Sequence, residues 1–156
     1  RDRFQVLEDN DWDEYFRNPH VGRALWTLDA NGDGRNDLML THTDEQVRLL
    51  LDDGDDDNHR IGFKLVGTAC SRDAIGAIIR FQAGGRQRTL WCLTGHGYMC
   101  ANEQVLRAGL GQADQVDEVS VTWPDGTTQQ LGSLEANRQY MIVEGEPKAV
   151  VTKVHD

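Results

Sequence analysis

Apolar residues in this chain return at every second position far more often than at every third or fourth. Val119, Val121 and Trp123 alternate with Ser120 and Thr122, Pro124-Asp125-Gly126 makes a turn, and Thr127 to Leu131 runs back. A period of two closed by turn residues predicts a β-hairpin. Ile75, Ala77, Ile79 and Phe81 alternate likewise, and Gly84-Gly85 turns them into a return strand at Arg88–Leu93. Leu25–Leu28, Leu38–Thr41, Val47–Leu51, Phe63–Val66 and Tyr140–Val143 are further short strand candidates. Helical periodicity is confined to Glu8–Phe16 and Ser133–Asn137, each room for one short turn. The pattern predicts an all-β fold, a small β-sandwich or barrel.

A polar, acidic run at Asp52–Arg60, containing Gly54, separates two groups of strands. It divides the chain into a small unit over residues 1–52, a larger β-module over 61–144, and a tail or linker, or appended edge strand, over 145–156. At 156 residues the chain has room for one domain plus a partial second. Trp26, Trp91, Trp123, Phe63, Phe81 and Tyr98 are the aromatic candidates for anchoring a core. The net charge of −10, from 26 acidic and 16 basic residues, repels phosphate backbones, which argues against nucleic acid and for cations or basic partners. No apolar run approaches the roughly 20 residues of a membrane-spanning helix. The chain begins at Arg1 with no signal peptide, which leads us to expect a processed chain or a piece of a larger parent protein.

The sharpest local pattern is Asp29-Ala30-Asn31-Gly32-Asp33-Gly34-Arg35-Asn36-Asp37. Oxygen-bearing side chains fall at loop positions one, three, five and nine, a spacing that turns them toward one centre. Gly34 permits the bend, and the Arg35 carbonyl can supply another oxygen. Asp29, Asn31, Asp33, Arg35 and Asp37 are therefore the candidate metal ligands. An all-oxygen set on a flexible loop suits Ca2+ better than Mg2+. An EF-hand would carry a bidentate Glu at loop position twelve, where this chain has Leu40, and the flanks read as strands. The alternative is an Asp/Asn/Gly turn without metal. The acidic run Asp52–Asp57 is consecutive rather than alternating and reads as a solvated loop.

Two family resemblances sit on these residues. Gly22–Leu28, the Asp29–Asp37 loop and Leu38–Thr41 together resemble an FG-GAP/VCBS-type repeat, a blade unit of β-propellers that carries calcium in this loop. Arg72-Asp73-Ala74-Ile75-Gly76-Ala77, Gly95-His96-Gly97-Tyr98, Gly109-Leu110-Gly111 and Val121–Gly126 resemble, in that order, an ASPIC/UnbV module, which is found in cartilage acidic protein and in bacterial surface proteins. The resemblances imply a β-propeller-blade-like strand–loop–strand unit attached to a β-module. They also imply an extracellular, periplasmic or cell-surface setting and a calcium-dependent interaction or adhesion role toward a protein or glycan. A lone blade cannot bury its own faces, so it is expected to pack on the larger module.

Arg72, Asp73, His96, Tyr98, Asn102 and Glu103 form a possible ligand patch, with Tyr98 for stacking; the alternative is that these segments serve turns. Cys70 and Cys100 flank the same two motifs and form a possible disulfide; a Cys92–Cys100 bridge, or three free thiols, are the other arrangements. No CxxC pair, HExxH, Gly-x-Ser-x-Gly elbow or phosphate loop occurs. The chain therefore reads as non-enzymatic. The competing readings are a glycan-acting hydrolase with Asp73 and Glu103 as paired carboxylates, and a purely structural interdomain unit of a larger surface protein.

Overall fold

The computed structural model describes residues 14–54 and 57–155. Eleven strands follow one 3-10 turn at Glu14–Arg17: β1 (Gly22–Leu28), β2 (Asp37–His42), β3 (Arg48–Leu50), β4 (His59–Val66), β5 (Ile78–Ala83), β6 (Arg86–Trp91), β7 (Leu106–Gly111), β8 (Gln115–Thr122), β9 (Thr128–Glu135), β10 (Arg138–Val143) and β11 (Val150–Val154). They form three sheets, ordered β1-β2-β3, β11-β10-β4-β7 and β6-β5-β8-β9. The fold is all-β and sandwich-like, and among the described residues no sheet closes into a barrel. Most of the helical turn expected at Glu8–Phe16, and Asp55 and Asp56 of the acidic run, lie outside the described residues. No helix among the described residues is long and apolar enough to cross a membrane.

The two four-stranded sheets enclose the core. Ile61, Phe63 and Leu65 of β4 and Tyr140 and Ile142 of β10 meet Ile79 and Phe81 of β5 and Val116, Val119 and Val121 of β8. The rings of Phe63 and Phe81 lie 5.6 Å apart and tilted at the centre. β4 and β10 pair in parallel, from Arg138↔Ile61 to Val143↔Val66. The alternation Val119, Val121, Trp123 lies on the core face as expected. Val116 joins it only because β8 bulges around Glu118, whose φ of 52° inserts the extra residue that restores the phase. Gly84 and Gly85, with φ of 54° and 71°, close the β5–β6 hairpin as the Gly-Gly pair led us to expect.

Three points of the sequence reading need correction, and one is narrowed. Ser133–Asn137 is not a helical turn: β9 continues to Glu135, because Leu134 pairs with Val116 and Glu135 with Gln115. β7 was not foreseen; its pairing with β4, Phe63↔Leu106 through His59↔Gly111, holds it extended. The tail, expected as a linker or an appended edge strand, is the latter: β11 pairs along β10 from Met141↔Val150 to Arg138↔Val154. Trp91 and Tyr98 are not core anchors: they are 56% and 68% exposed.

Candidate metal loop and the cleft beside it

Residues 29–36 connect β1 to β2 at the end where Leu28 pairs with Asp37. The loop folds around its own carboxylates. Asp29 Oδ1 accepts from the Gly32 N–H (2.7 Å) and Asp29 Oδ2 from the Gly34 N–H (3.3 Å). Asp33 Oδ1 accepts from the Arg35 N–H (2.8 Å), and Asn31 bonds the Asp33 N–H and carboxylate (3.2 and 2.9 Å). Gly32 and Gly34 have φ of 85° and 84°, a conformation that a Cβ would strain. Asp37 is completely buried and spends one oxygen on the Ala30 N–H (2.7 Å) and the other on the Asp52 N–H (2.9 Å). Burial works against the charge of Asp33, but the Arg35 and Asn31 hydrogen bonds and the charges of Arg60 and Arg35 outweigh it and hold its carboxyl below the usual range.

The loop is clasped to the sandwich. The Asp29 side chain has no exposed surface, and Arg107 Nη2 of β7 (3.5 Å) and Lys153 Nζ of β11 (3.4 Å) approach its Oδ2. Arg107 also pairs with Glu103 at 2.7 Å, and Glu103 Oε2 accepts the Asp29 N–H at 3.1 Å. His155 Nδ1 donates to the Gly32 carbonyl (3.2 Å), and its ring lies so close to Gly34 that a Cβ there would meet it at 2.7 Å. Burial keeps the His155 imidazole below its ordinary pKa and so neutral near pH 7. The acidic charge of the loop is thus relieved in part by amides, by Arg107 and by Lys153, a source of relief that the spacing alone could not reveal. Among the described residues, no three His, Cys, Asp or Glu side chains stand together as a metal-holding group. Asp37 in particular is drawn toward the Ala30 and Asp52 amides. The donors themselves, all oxygens on one nine-residue turn held by positive-φ glycines, have the chemistry a hard cation needs.

The expected ligand patch divides. Arg72 and Asp73 are exposed and act through the backbone, where the Arg72 carbonyl accepts the Gly67 N–H (3.0 Å) and the Asp73 carbonyl accepts the Cys92 thiol (3.2 Å). Asn102 and Glu103 instead join the module to β1. Asn102 Oδ1 accepts the Thr27 N–H (3.0 Å), and the Glu103 N–H donates to the Thr27 carbonyl (2.9 Å). Thr27, Trp91, His96, Asn102, Glu103 and Arg107 line a cleft of about 340 Å³, and Asp73 does not reach it. Tyr98 stands exposed on the neighbouring loop.

The possible Cys70–Cys100 disulfide is not formed; Cys70, Cys92 and Cys100 are free thiols. Cys70 donates to the Ser71 carbonyl (3.5 Å), whereas Cys100 is held at β1 by the Leu25 carbonyl (3.2 Å), so the two loops face different partners. Burial, then the Glu144 carboxylate, pushes the Cys70 thiol up, and burial and Asp73 do the same for Cys92, leaving neither activated as a nucleophile. Sequence reasoning missed Trp91 as a surface residue, and Arg107, Lys153 and His155 as partners of the loop. It missed Glu144 as well, which accepts three amides, from Thr68 (2.8 Å), Ala69 (2.8 Å) and Cys70 (3.0 Å). All lie 70 or more residues from what they hold except Trp91, which is exposed because it lies on the outer face of β6, opposite core-facing Leu90.

The protein is an all-β sandwich with an acidic strand–loop–strand unit clasped to its side. Residues 67–149, just over half the chain, match the family model described as ASPIC and UnbV, and the chain belongs to that family. Modules of this family occur in larger, extracellular-type proteins. No curated protein matches the chain.

Proposed function

We propose that this chain is a calcium-binding, non-catalytic interaction and adhesion module of a larger extracellular, periplasmic or cell-surface protein. In this reading β1, the loop and β2 form an FG-GAP/VCBS-type repeat, and the partner is a protein or glycan at the cell surface. The observation that carries the reading is the loop at Asp29–Asp37. Its hard oxygen donors alternate along one turn, and its first ligand, Asp29, is fully enclosed between the loop amides and the sandwich. Asp29, Asn31, Asp33, Asp37 and the Arg35 carbonyl would hold the ion, which supplies charge cancellation and cross-links the turn. Because Asp29 also meets β7 and β11 through Arg107 and Lys153, ordering the loop would stiffen the junction between the first sheet and the sandwich. The engagement of Glu103 with Arg107 and the Asp29 amide supports the non-catalytic reading, since a carboxylate so occupied is poorly placed for acid–base work.

Melting curves with calcium and with chelator test this. Extracellular calcium modules bind at about 10⁻⁴–10⁻³ M, so about 10 mM calcium should stabilise the chain by about 1.4–2.7 kcal/mol. The expected rise in Tm is then about 3–10 °C. Asp33→Ala should abolish the rise while changing the chelator curve little. Superimposable wild-type curves in the two buffers would overturn the reading.

A further inference from the structure

We propose that the cleft beside Trp91 is a subsite for an uncharged saccharide, with the indole as the platform for one sugar ring. The inference rests on the reading of the chain as a binding module but not on the calcium ion. Thr89 and Trp91 are two residues apart on edge strand β6, so both side chains leave the face opposite Leu90, which packs against the core. The tryptophan therefore presents 56% of its surface to water at the mouth of the 340 Å³ cleft, where a large flat apolar side chain gains most from being covered.

The polar groups of the cleft narrow the ligand. Glu103 and Arg107 are opposite charges already paired with each other at 2.7 Å. Asn102 has its Oδ1 on the Thr27 N–H, and Gln104 has its Oε1 near the Cys92 thiol, which leaves both amide NH2 groups as donors. Among the described residues, those NH2 groups, the Thr89 hydroxyl and His96 Nε2 have no partner. An aromatic face surrounded by neutral donors and acceptors complements a ring with an apolar C–H face and a rim of hydroxyls, each of which both donates and accepts. A stacked nucleotide would bring phosphates to a chain of net charge −10.

The test is titration of the chain with cellopentaose, xylopentaose, laminaripentaose and chitopentaose, followed by calorimetry and tryptophan emission, in calcium and in chelator. At least one sugar should bind saturably and shift the emission. Trp91→Ala should weaken that binding about tenfold or more without lowering the Tm, and Thr89→Val should weaken it by a smaller factor. No saturable binding by any of the four at millimolar concentration, or wild-type affinity in Trp91→Ala, would overturn the proposal; so would capture of an extended peptide along the β6 edge with no response to sugar. Sugar binding that persists in chelator while calcium shows no binding would sink the calcium reading alone. A calcium shift in Tm without sugar binding would sink this one alone.

Discussion

The first sheet and the sandwich are built from similar strands but held by opposite means. In the sandwich, Phe63, Ile79, Phe81, Val119, Val121 and Ile142 are wholly enclosed, and no residue of β1, β2 or β3 joins that cluster. In the first sheet, among the described residues, no apolar side chain is fully buried; Leu25 and Leu49 are exposed, and the buried side chains are Asp37 and His42. His42 is held by Tyr15 (2.7 Å) and the Gln46 carbonyl (3.1 Å), as Asp37 is by two amides. Apolar burial is additive and tolerant of direction, whereas a buried polar group is stable only with its partners in place. The sandwich should therefore yield gradually to loss of volume, and the first sheet sharply to loss of a single hydrogen-bonding group.

The largest effect should come from Phe63→Ala, a core truncation that costs about 3–5 kcal/mol and should lower the urea midpoint of the sandwich. Asp37→Ala removes the shared acceptor of the Ala30 and Asp52 amides and should cost about 1–3 kcal/mol in all. Hydrogen exchange should show protection lost in β1 and β2 and kept in β5 and β8; equal loss in both regions would erase the contrast. Glu144 extends the polar principle into the sandwich. Amide bonds from Cys70, then Thr68 and Ala69, hold its carboxyl at about 2 against an ordinary 4.5. With the folded pKa depressed, its stabilisation is fully present above about 4.5 and fades as the pH falls toward about 2. Denaturation at pH 6 and pH 3 should show Glu144→Gln less stable than wild type at pH 6, with the gap narrowing at pH 3. The smallest effect is expected of Lys153→Ala. If the loop takes calcium as proposed, removing a cation 3.4 Å from Asp29 Oδ2 should tighten that binding, by roughly 1 kcal/mol or less because the lysine is partly solvated. Calorimetric titration would measure it, and weaker binding would show that Lys153 organises the loop rather than opposing the ion.

The chain's own pattern determined the strand class and most of the strands. Val119, Val121 and Trp123, or Ile79 and Phe81, can bury a common face only when extended, and Gly84-Gly85 and Pro124-Asp125-Gly126 leave the chain little choice but to turn. The acidic loop was legible for the same reason: its chemistry lies within nine consecutive residues. Tertiary structure alone decided where each surface would end. β7 is extended because β4 pairs with it, and β11 because β10 offers an edge. Trp91 is exposed because the sandwich takes Leu90 as the core-facing side chain of β6 and leaves Trp91 on the outer face. The partners of Asp29 at Arg107 and Lys153 lie 78 and 124 residues away. Periodicity and turn chemistry are local and written in the order of residues, whereas exposure and charge pairing depend on which distant segments come to lie alongside.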